Sequence, residues 1–303
     1  MHTYKYCHLD VFTDRPFTGN QLAVFPDATG LDSSTMQKIA MEMAFSETTF
    51  VLPPETEGTD ARVRIFTPNT ELPMAGHPTI GTAFALAHKG RIAPGSQNLV
   101  LGLEVGPTSV RLEWEANRLC FAWMTQPIPT FGTMPSNGPA LATVLGLRKE
   151  DFSDTAPPVQ VVSSGVPFLF VPLVSRRAVD SVVVDRSGLR DFCRAADLPE
   201  LPMFVFSTET ADDGATVYSR MFAPVFGIAE DPATGGASGP LGAYLVHHGV
   251  LAPEQARRMV SLQGVKMGRP SRIHVSIGTQ NECIVDVNVG GQAVIIGEGE
   301  IYL

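Results

Sequence analysis

Apolar and polar positions alternate with a period of two through 98–105, 108–115 and 117–124, and again through 259–265, 271–277, 282–289 and 292–302. Rich in valine and isoleucine, these segments predict antiparallel strand meanders. The opening MHTYKYCHLDVF reads as a first strand, and Phe50-Val51-Leu52 as a short buried one. A wider spacing predicts a helix where Met36, Ile39, Ala40 and Met43 share one face behind a Ser34-x-x-Gln37 capping box. Two further segments, Pro78–Ala87 and Ala233–Val246, carry no charge on any side. A helix that is apolar all round belongs in an interior. Neither reaches the roughly 18 apolar residues of a membrane span, so the surrounding strands must enclose them. Pro240 fits best in a first turn, where a missing N–H costs nothing, so the second buried helix could begin as late as Ser238.

The two charge-free segments belong to an internal repeat. Arg64-Ile65-Phe66-Thr67-Pro68 matches Arg220-Met221-Phe222-Ala223-Pro224, and His77-Pro78-Thr79-Ile80-Gly81-Thr82-Ala83 matches Asp231-Pro232-Ala233-Thr234-Gly235-Gly236-Ala237. A third match, His88 to Pro94 against His248 to Pro253, closes the unit. Each match is weak alone, but three in one order argue for duplication. The expected fold is α+β: two β-barrel-like halves, each wrapped around a buried central helix. The halves are residues 1–125, which the C-terminal end could complete by crossing over, and 126–303, joined near the prolines of 125–160.

Composition narrows the function. A net charge of −9 with no block of like charge argues against nucleic acid and anionic membrane as partners. The N-terminus lacks the basic and apolar regions of a signal peptide. The four cysteines are scattered, without a CxxC, which suits reduced thiols and a cytoplasmic protein. No HxxxH, HExxH or Cys/His cluster points to a metal, and His247-His248 reads as a helix end. The run Gly235-Gly236-Ala237-Ser238-Gly239 matches neither GxGxxG nor a P-loop, and no GxSxG occurs.

Candidate chemistry lies at the two helix starts. Free N–H groups and the dipole make such ends sites for a carboxylate, and the flanking Gly76, Gly81, Gly235 and Gly236 let a ligand approach the backbone. Packed about a pseudo-two-fold axis, the ends would face one cleft. Glu47, in Ser46-Glu47-Thr48-Thr49 before the apolar strand, is either an exposed strand end or a buried carboxyl. Burial would raise its pKa toward the range useful for proton transfer. His77 and Asp231 likewise have structural readings, as a bonded core histidine and a helix cap.

Together the motifs carry a resemblance. Asp10-Val11-Phe12-Thr13, Pro16 to Val24, Ser46 to Phe50, Arg64 to Pro68, Gly76 to Thr82, Phe222-Ala223-Pro224, Glu230 to Gly235, Gln263-Gly264 and Gly268-Arg269-Pro270 resemble the PhzF-like phenazine-biosynthesis family over essentially the whole chain. The resemblance implies a diaminopimelate-epimerase-like fold, a homodimer and no cofactor. It implies that Glu47 is the acid/base, and that His77 and Asp231 hold and polarise the substrate. Backbone N–H groups of Gly76, His77, Gly235 and Gly236 would bind the carboxylate. Gly236 stands where the phenazine enzymes tend to have serine, with Ser238 two residues on as the candidate replacement, so the resemblance does not by itself fix dihydro-hydroxyanthranilate, their substrate, as the substrate of this chain.

Epimerases of this fold use two cysteines, and none falls in 64–94 or 220–253. Inversion needs an acid and a base on opposite faces, whereas one glutamate can return a proton to another carbon on the same face. The expected function is a cofactor-independent isomerase acting on a small, carboxylate-bearing, cyclic molecule. The alternatives are an epimerase or racemase opposing Glu47 with Asp231, and a ligand-binding or interaction protein that kept the fold without turnover.

Overall fold

The computed structural model describes residues 2–135, 138–153 and 156–303, so residue 1 of the expected first strand and residues 136, 137, 154 and 155 of the expected junction lie outside the described residues. The first half contributes Thr3–Val11 (β1), Asn20–Phe25 (β2), Glu47–Leu52 (β3), Ala61–Phe66 (β4), Glu71–Leu72 (β5), Asn98–Leu103 (β6), Gly106–Glu115 (β7) and Arg118–Thr125 (β8). A short strand, Thr130–Phe131 (β9), follows. Then come Gln160–Ser163 (β10), Pro167–Pro172 (β11), Met203–Ser207 (β12), Val217–Ala223 (β13), Ile228–Asp231 (β14), Met259–Gln263 (β15), Ser271–Gln280 (β16), Cys283–Gly291 (β17) and Ala293–Tyr302 (β18). Helices are Ser33–Met43 (α1), Gly76–His88 (α2), Gly138–Val144 (α3), Arg176–Ser181 (α4), Arg186–Ala195 (α5), Gly235–His247 (α6) and Pro253–Ala256 (α7).

The pairing is duplicated. In the first half β2 runs parallel to β3, β4 is antiparallel to β3 and β5 but parallel to β6, and β6, β7 and β8 form a meander. In the second, β11 runs parallel to β12, β13 is antiparallel to β12 and β14 but parallel to β15, and β15, β16 and β17 repeat the meander. Two pairings stitch the set together: β8 with β17, and the last strand β18 back onto β1.

Each half wraps its strands around one helix. In α2 the residues from Gly76 to Leu86 are all buried, and in α6 so are Ala237 to Leu245. A polar residue facing that enclosure would lose its water, which explains the absence of charge in both segments. The other helices lie outside: α1 sets Met36, Ile39 and Ala40 against Ala23, Phe25, Phe50 and Phe66, and α3–α5 cover the outer face of β11–β13.

Three expectations need correction. The N-cap of α1 is Asp32, whose carboxylate accepts from Thr35 N at 2.7 Å; Gln37 instead donates to the Thr67 and Pro68 carbonyls. Helix α6 starts at Gly235, so Pro240 sits inside it, where full burial and tight packing hold the helix despite the missing bond. The register of the repeat also shifts. Both central helices are 13 residues long, and Thr79 and Ser238 bond back to the Ala75 and Thr234 carbonyls at the same turn. The ladders agree, with Ile65 opposite Leu72 and Met221 opposite Asp231, each beside an arginine–glutamate pair, Arg64–Glu71 and Arg220–Glu230. Asp231-Pro232 thus corresponds to Leu72-Pro73, and His77 to Gly236. A gap-free run of small residues allowed a plausible but displaced alignment.

Candidate active site

The starts of α2 and α6 meet at the centre of the molecule. A Cβ placed on Gly76 would lie 2.5 Å from the Gly235 backbone and 2.6 Å from Gly236 N, so only glycine permits this approach. Neither N-cap, Ala75 or Thr234, closes its helix with a side-chain bond. Pro78 has no N–H, and the hydroxyls of Thr79 and Ser238 are turned back into their own helices. The N–H groups of Gly76, His77, Gly235 and Gly236 therefore remain for a ligand, with two helix dipoles behind them.

These glycines form one wall of a cleft of about 510 Å³, mouth included. Leu72, Met74, Val166, Phe168, Met221, Phe226 and Ile228 make its apolar walls, and Glu47, His77, Asp231 and Thr234 its polar ones. No arginine or lysine is among the lining residues, so an anion in this cleft would depend on backbone N–H groups.

The first residue of β3 carries Glu47 into the cleft, and its side chain is buried, which resolves the choice left open by the sequence. His77, in the first turn of α2, brings Nε2 to 3.3 Å from Glu47 Oε2. This is not an ion pair. Burial pushes the imidazole down to about 3, offset only in part by a backbone hydrogen bond with Gln21, so His77 is neutral. Burial, reinforced by the charge of Asp231, holds Glu47 well above the usual carboxylate range. Glu47 Oε2 and His77 Nε2 are both buried without a hydrogen-bond partner. Such atoms are costly, by about 1–3 kcal/mol each, and here the two sit side by side at the cleft.

Asp231 differs. Burial pushes it up to about 6, against three donors that favour its charged form. Thr234 Oγ1 donates at 2.6 Å, Ser46 Oγ at 2.9 Å and Asn20 Nδ2 at 2.8 Å. The charge of Asp231 disfavours a second charge on Glu47, and the donors decide the order: Asp231 takes the charge more readily and Glu47 holds its proton more tightly.

Sequence reasoning brought Glu47, His77, Asp231, Gly76, Gly235 and Gly236 to one cleft, where all six lie. Ser238 does not join them. It is fully buried, its Oγ donates to Thr234 O at 2.9 Å, and it faces away from the cleft. Gly236 is left bare, with Gly76 N at 3.9 Å the nearest atom to any Cβ there. Asn20, Ser46 and Gln263 were missed. Gln263, wholly buried, donates from Nε2 to Asp231 O and Thr234 Oγ1 and accepts from Thr234 N, fixing the turn between β14 and α6. The available signal was a polar residue opening or closing an apolar strand, as Asn20 does before Leu22-Ala23-Val24-Phe25. Among the described residues no group of three or more His, Cys, Asp or Glu side chains is arranged to hold a metal ion.

The chain is similar to known proteins over nearly its whole length. A family model described as phenazine biosynthesis-like protein matches residues 9–299. The trans-2,3-dihydro-3-hydroxyanthranilate isomerase of Pseudomonas aeruginosa is 38% identical over 300 residues, covering 99% of this chain and all of that protein. An uncharacterized isomerase of Escherichia coli K12 is 31% identical over 97% of this chain and 96% of its own. Among solved structures, a PhzF-family phenazine biosynthesis protein from Bacillus anthracis superposes with a TM-score of 0.87 at 28% identity, covering both chains fully. A hydroxyproline epimerase from Agrobacterium vitis shares the fold, with a TM-score of 0.65 at 12% identity over 99% of this chain and 92% of that one.

Proposed function

The chain belongs to the phenazine biosynthesis-like family and is an isomerase, and on that premise we propose that Glu47, working without a cofactor, moves a proton between two carbons of a small, carboxylate-bearing, cyclic substrate. The observation that carries this reading is the unequal pair of buried carboxyls beside a neutral histidine. A carboxyl with its pKa raised toward neutrality can both release and accept a proton at working pH. In its basic form Glu47 takes a proton from one carbon. The electron pair of that C–H bond shifts through the adjacent double bond, and the same carboxyl delivers the proton to the far carbon. Nothing is oxidised or reduced. His77 Nε2, at 3.3 Å, steadies the carboxyl as it changes charge. Asp231 holds a polar group of the substrate, and the N–H groups of Gly76, His77, Gly235 and Gly236 receive its carboxylate.

One shuttling group suits isomerisation better than inversion, because Asp231, loaded with three donors, is a poor partner acid. Gly236 leaves open space where a side chain would narrow the cleft, which supports a substrate other than the phenazine precursor. We further propose a cytoplasmic homodimer, its four free cysteines fitting a reducing compartment; sedimentation at monomer mass would exclude the dimer. No helix among the described residues is long and apolar enough to cross a membrane.

Proton exchange is followed by NMR in deuterated solvent with a panel of small cyclic acids that includes trans-2,3-dihydro-3-hydroxyanthranilate. Glu47→Gln is expected to lower turnover by at least about 100-fold. Full turnover in that variant overturns the assignment, and deuterium incorporation with inversion at one carbon would point to an epimerase.

A further inference from the structure

Asn20 opens β2, in the first half, and is almost wholly buried. A buried amide is costly unless its hydrogens are used, and both are used here on the other half of the molecule. Asn20 Nδ2 donates to Asp231 Oδ1 at 2.8 Å and to Ala233 O at 2.9 Å. His77 Nδ1 lies 3.2 Å from the same nitrogen. The amide can face only one way, because turning it over would set its oxygen against a carboxylate and a carbonyl. One nitrogen thus touches the residues on either side of Glu47 without itself lining the cleft.

The donors on Asp231 are divided by origin. Oδ2 is served by Thr234 of its own half, whereas Oδ1 is served by Asn20 and Ser46, both from the other half. The groups facing Asp231 from the surrounding elements are Glu47 of β3, neutral His77 of α2 and its neighbour Glu230, which Arg220 holds in a two-bond pair. No cation at the cleft wall supports the charge of Asp231, so hydrogen bonds must do it.

We propose that Asn20 is a positioning residue that holds Asp231 in its ionised form from across the boundary between the halves, and so keeps the movable proton on Glu47. The assignment rests on the roles given above to Glu47 and Asp231. Without the amide, Asp231 loses one of the two donors on Oδ1 and competes for the proton. The two carboxyls then approach equal affinity, and a proton that Glu47 has taken from the substrate can pass to Asp231 instead of going on to the far carbon.

The test reads the carboxyls directly. Carbon-13 NMR of carboxyl-labelled protein, with Asp231 assigned through Asp231→Asn, follows its titration in the wild type and in Asn20→Leu, which keeps the bulk but donates nothing. The midpoint of Asp231 is expected to rise by about one pH unit in Asn20→Leu, a tenfold gain in proton affinity. An unchanged midpoint in the folded variant overturns the proposal. Asn20→Asp keeps the shape and covers the case in which leucine prevents folding. Its introduced carboxyl can donate only when protonated, so proton exchange on any active acid of the panel should survive at low pH and fall at least tenfold relative to wild type above neutrality. A uniform loss at every pH would mean a merely structural role and would overturn the proposal too. Because the titration needs no substrate, it separates failure of this inference from failure of the Glu47 assignment, which Glu47→Gln tests alone.

Discussion

Replacing Gly76 by alanine tests whether the meeting of the two helix ends is as close as the site requires. Helix propensity alone favours alanine by up to about 1 kcal/mol at such a position, and Gly76 has no left-handed backbone to lose. The added carbon would sit 2.5 Å from the Gly235 backbone, about 0.9 Å short of ordinary contact at 3.4 Å. Its neighbours are main-chain atoms of a buried helix, which cannot rotate aside. Overpacking of this kind costs about 1–3 kcal/mol, and its upper end applies because no flexible side chain absorbs the clash. The net expectation is a loss of about 2 kcal/mol, measured as the shift in urea midpoint at constant slope. Gly236→Ala is the control. Its Cβ meets nothing closer than 3.9 Å, so stability should stay level or rise by up to about 1 kcal/mol. Relief of the clash would separate the two rings of N–H donors by several tenths of an ångström, and a misplacement near 1 Å can cost about 100-fold in rate. Gly76→Ala should therefore lose proton exchange as well. If it is as stable and as active as the wild type, the close approach is not what builds the site.

Two further expectations concern pH and the residue that left the site. Asp231 is raised in the folded protein from 3.8 to about 6, so the folded state holds its proton more tightly than the unfolded chain does. That contribution is present in full below about pH 4 and is lost as the pH climbs through 6. Wild-type stability relative to Asp231→Asn should thus improve by an amount of order 3 kcal/mol between pH 7 and pH 4, and a constant difference in urea unfolding across that range would refute the burial argument. His77, lowered to about 3, works in the opposite sense: its neutral form costs stability progressively as the pH falls below 6.5. His77→Gln should flatten that acid limb in the same experiment, and an unaltered limb would count against a neutral buried imidazole. Ser238→Ala should cost about 0.5–1.5 kcal/mol for one lost hydrogen bond while leaving kcat and KM within about twofold, because its hydroxyl is bonded to Thr234 O; a large change in KM would return it to the cleft.

Much of this was legible in the order of residues. Alternation in 98–105, 108–115 and 117–124 located β6, β7 and β8 within a few residues, because a strand with one buried face writes its period of two directly into the chain. The charge-free segments located α2 and α6 for the converse reason: a helix enclosed on all sides can afford no charge. The repeat foretold that two helix starts would meet, and the family motifs named the residues there.

Other features depended on contacts between distant parts. Periodicity could not distinguish an exposed Glu47 from a buried one, since both occupy the same strand end; the apolar walls of β5, β11, β13 and β14 settle it. The pairing of Thr79 with Ser238, and of Leu72 with Asp231, followed from hydrogen bonds and ladders that no run of small residues encodes. Asn20 reaches Asp231 across 211 positions, and Gln263 reaches back 32, so a polar residue at a strand end could not say which distant group it serves. The sequence by itself determined which segments must be buried and that there are two sets of them. Only the tertiary structure decided which carboxyl keeps the proton, because that depends on how much water and how many donors each one meets, and those come from the other half of the chain.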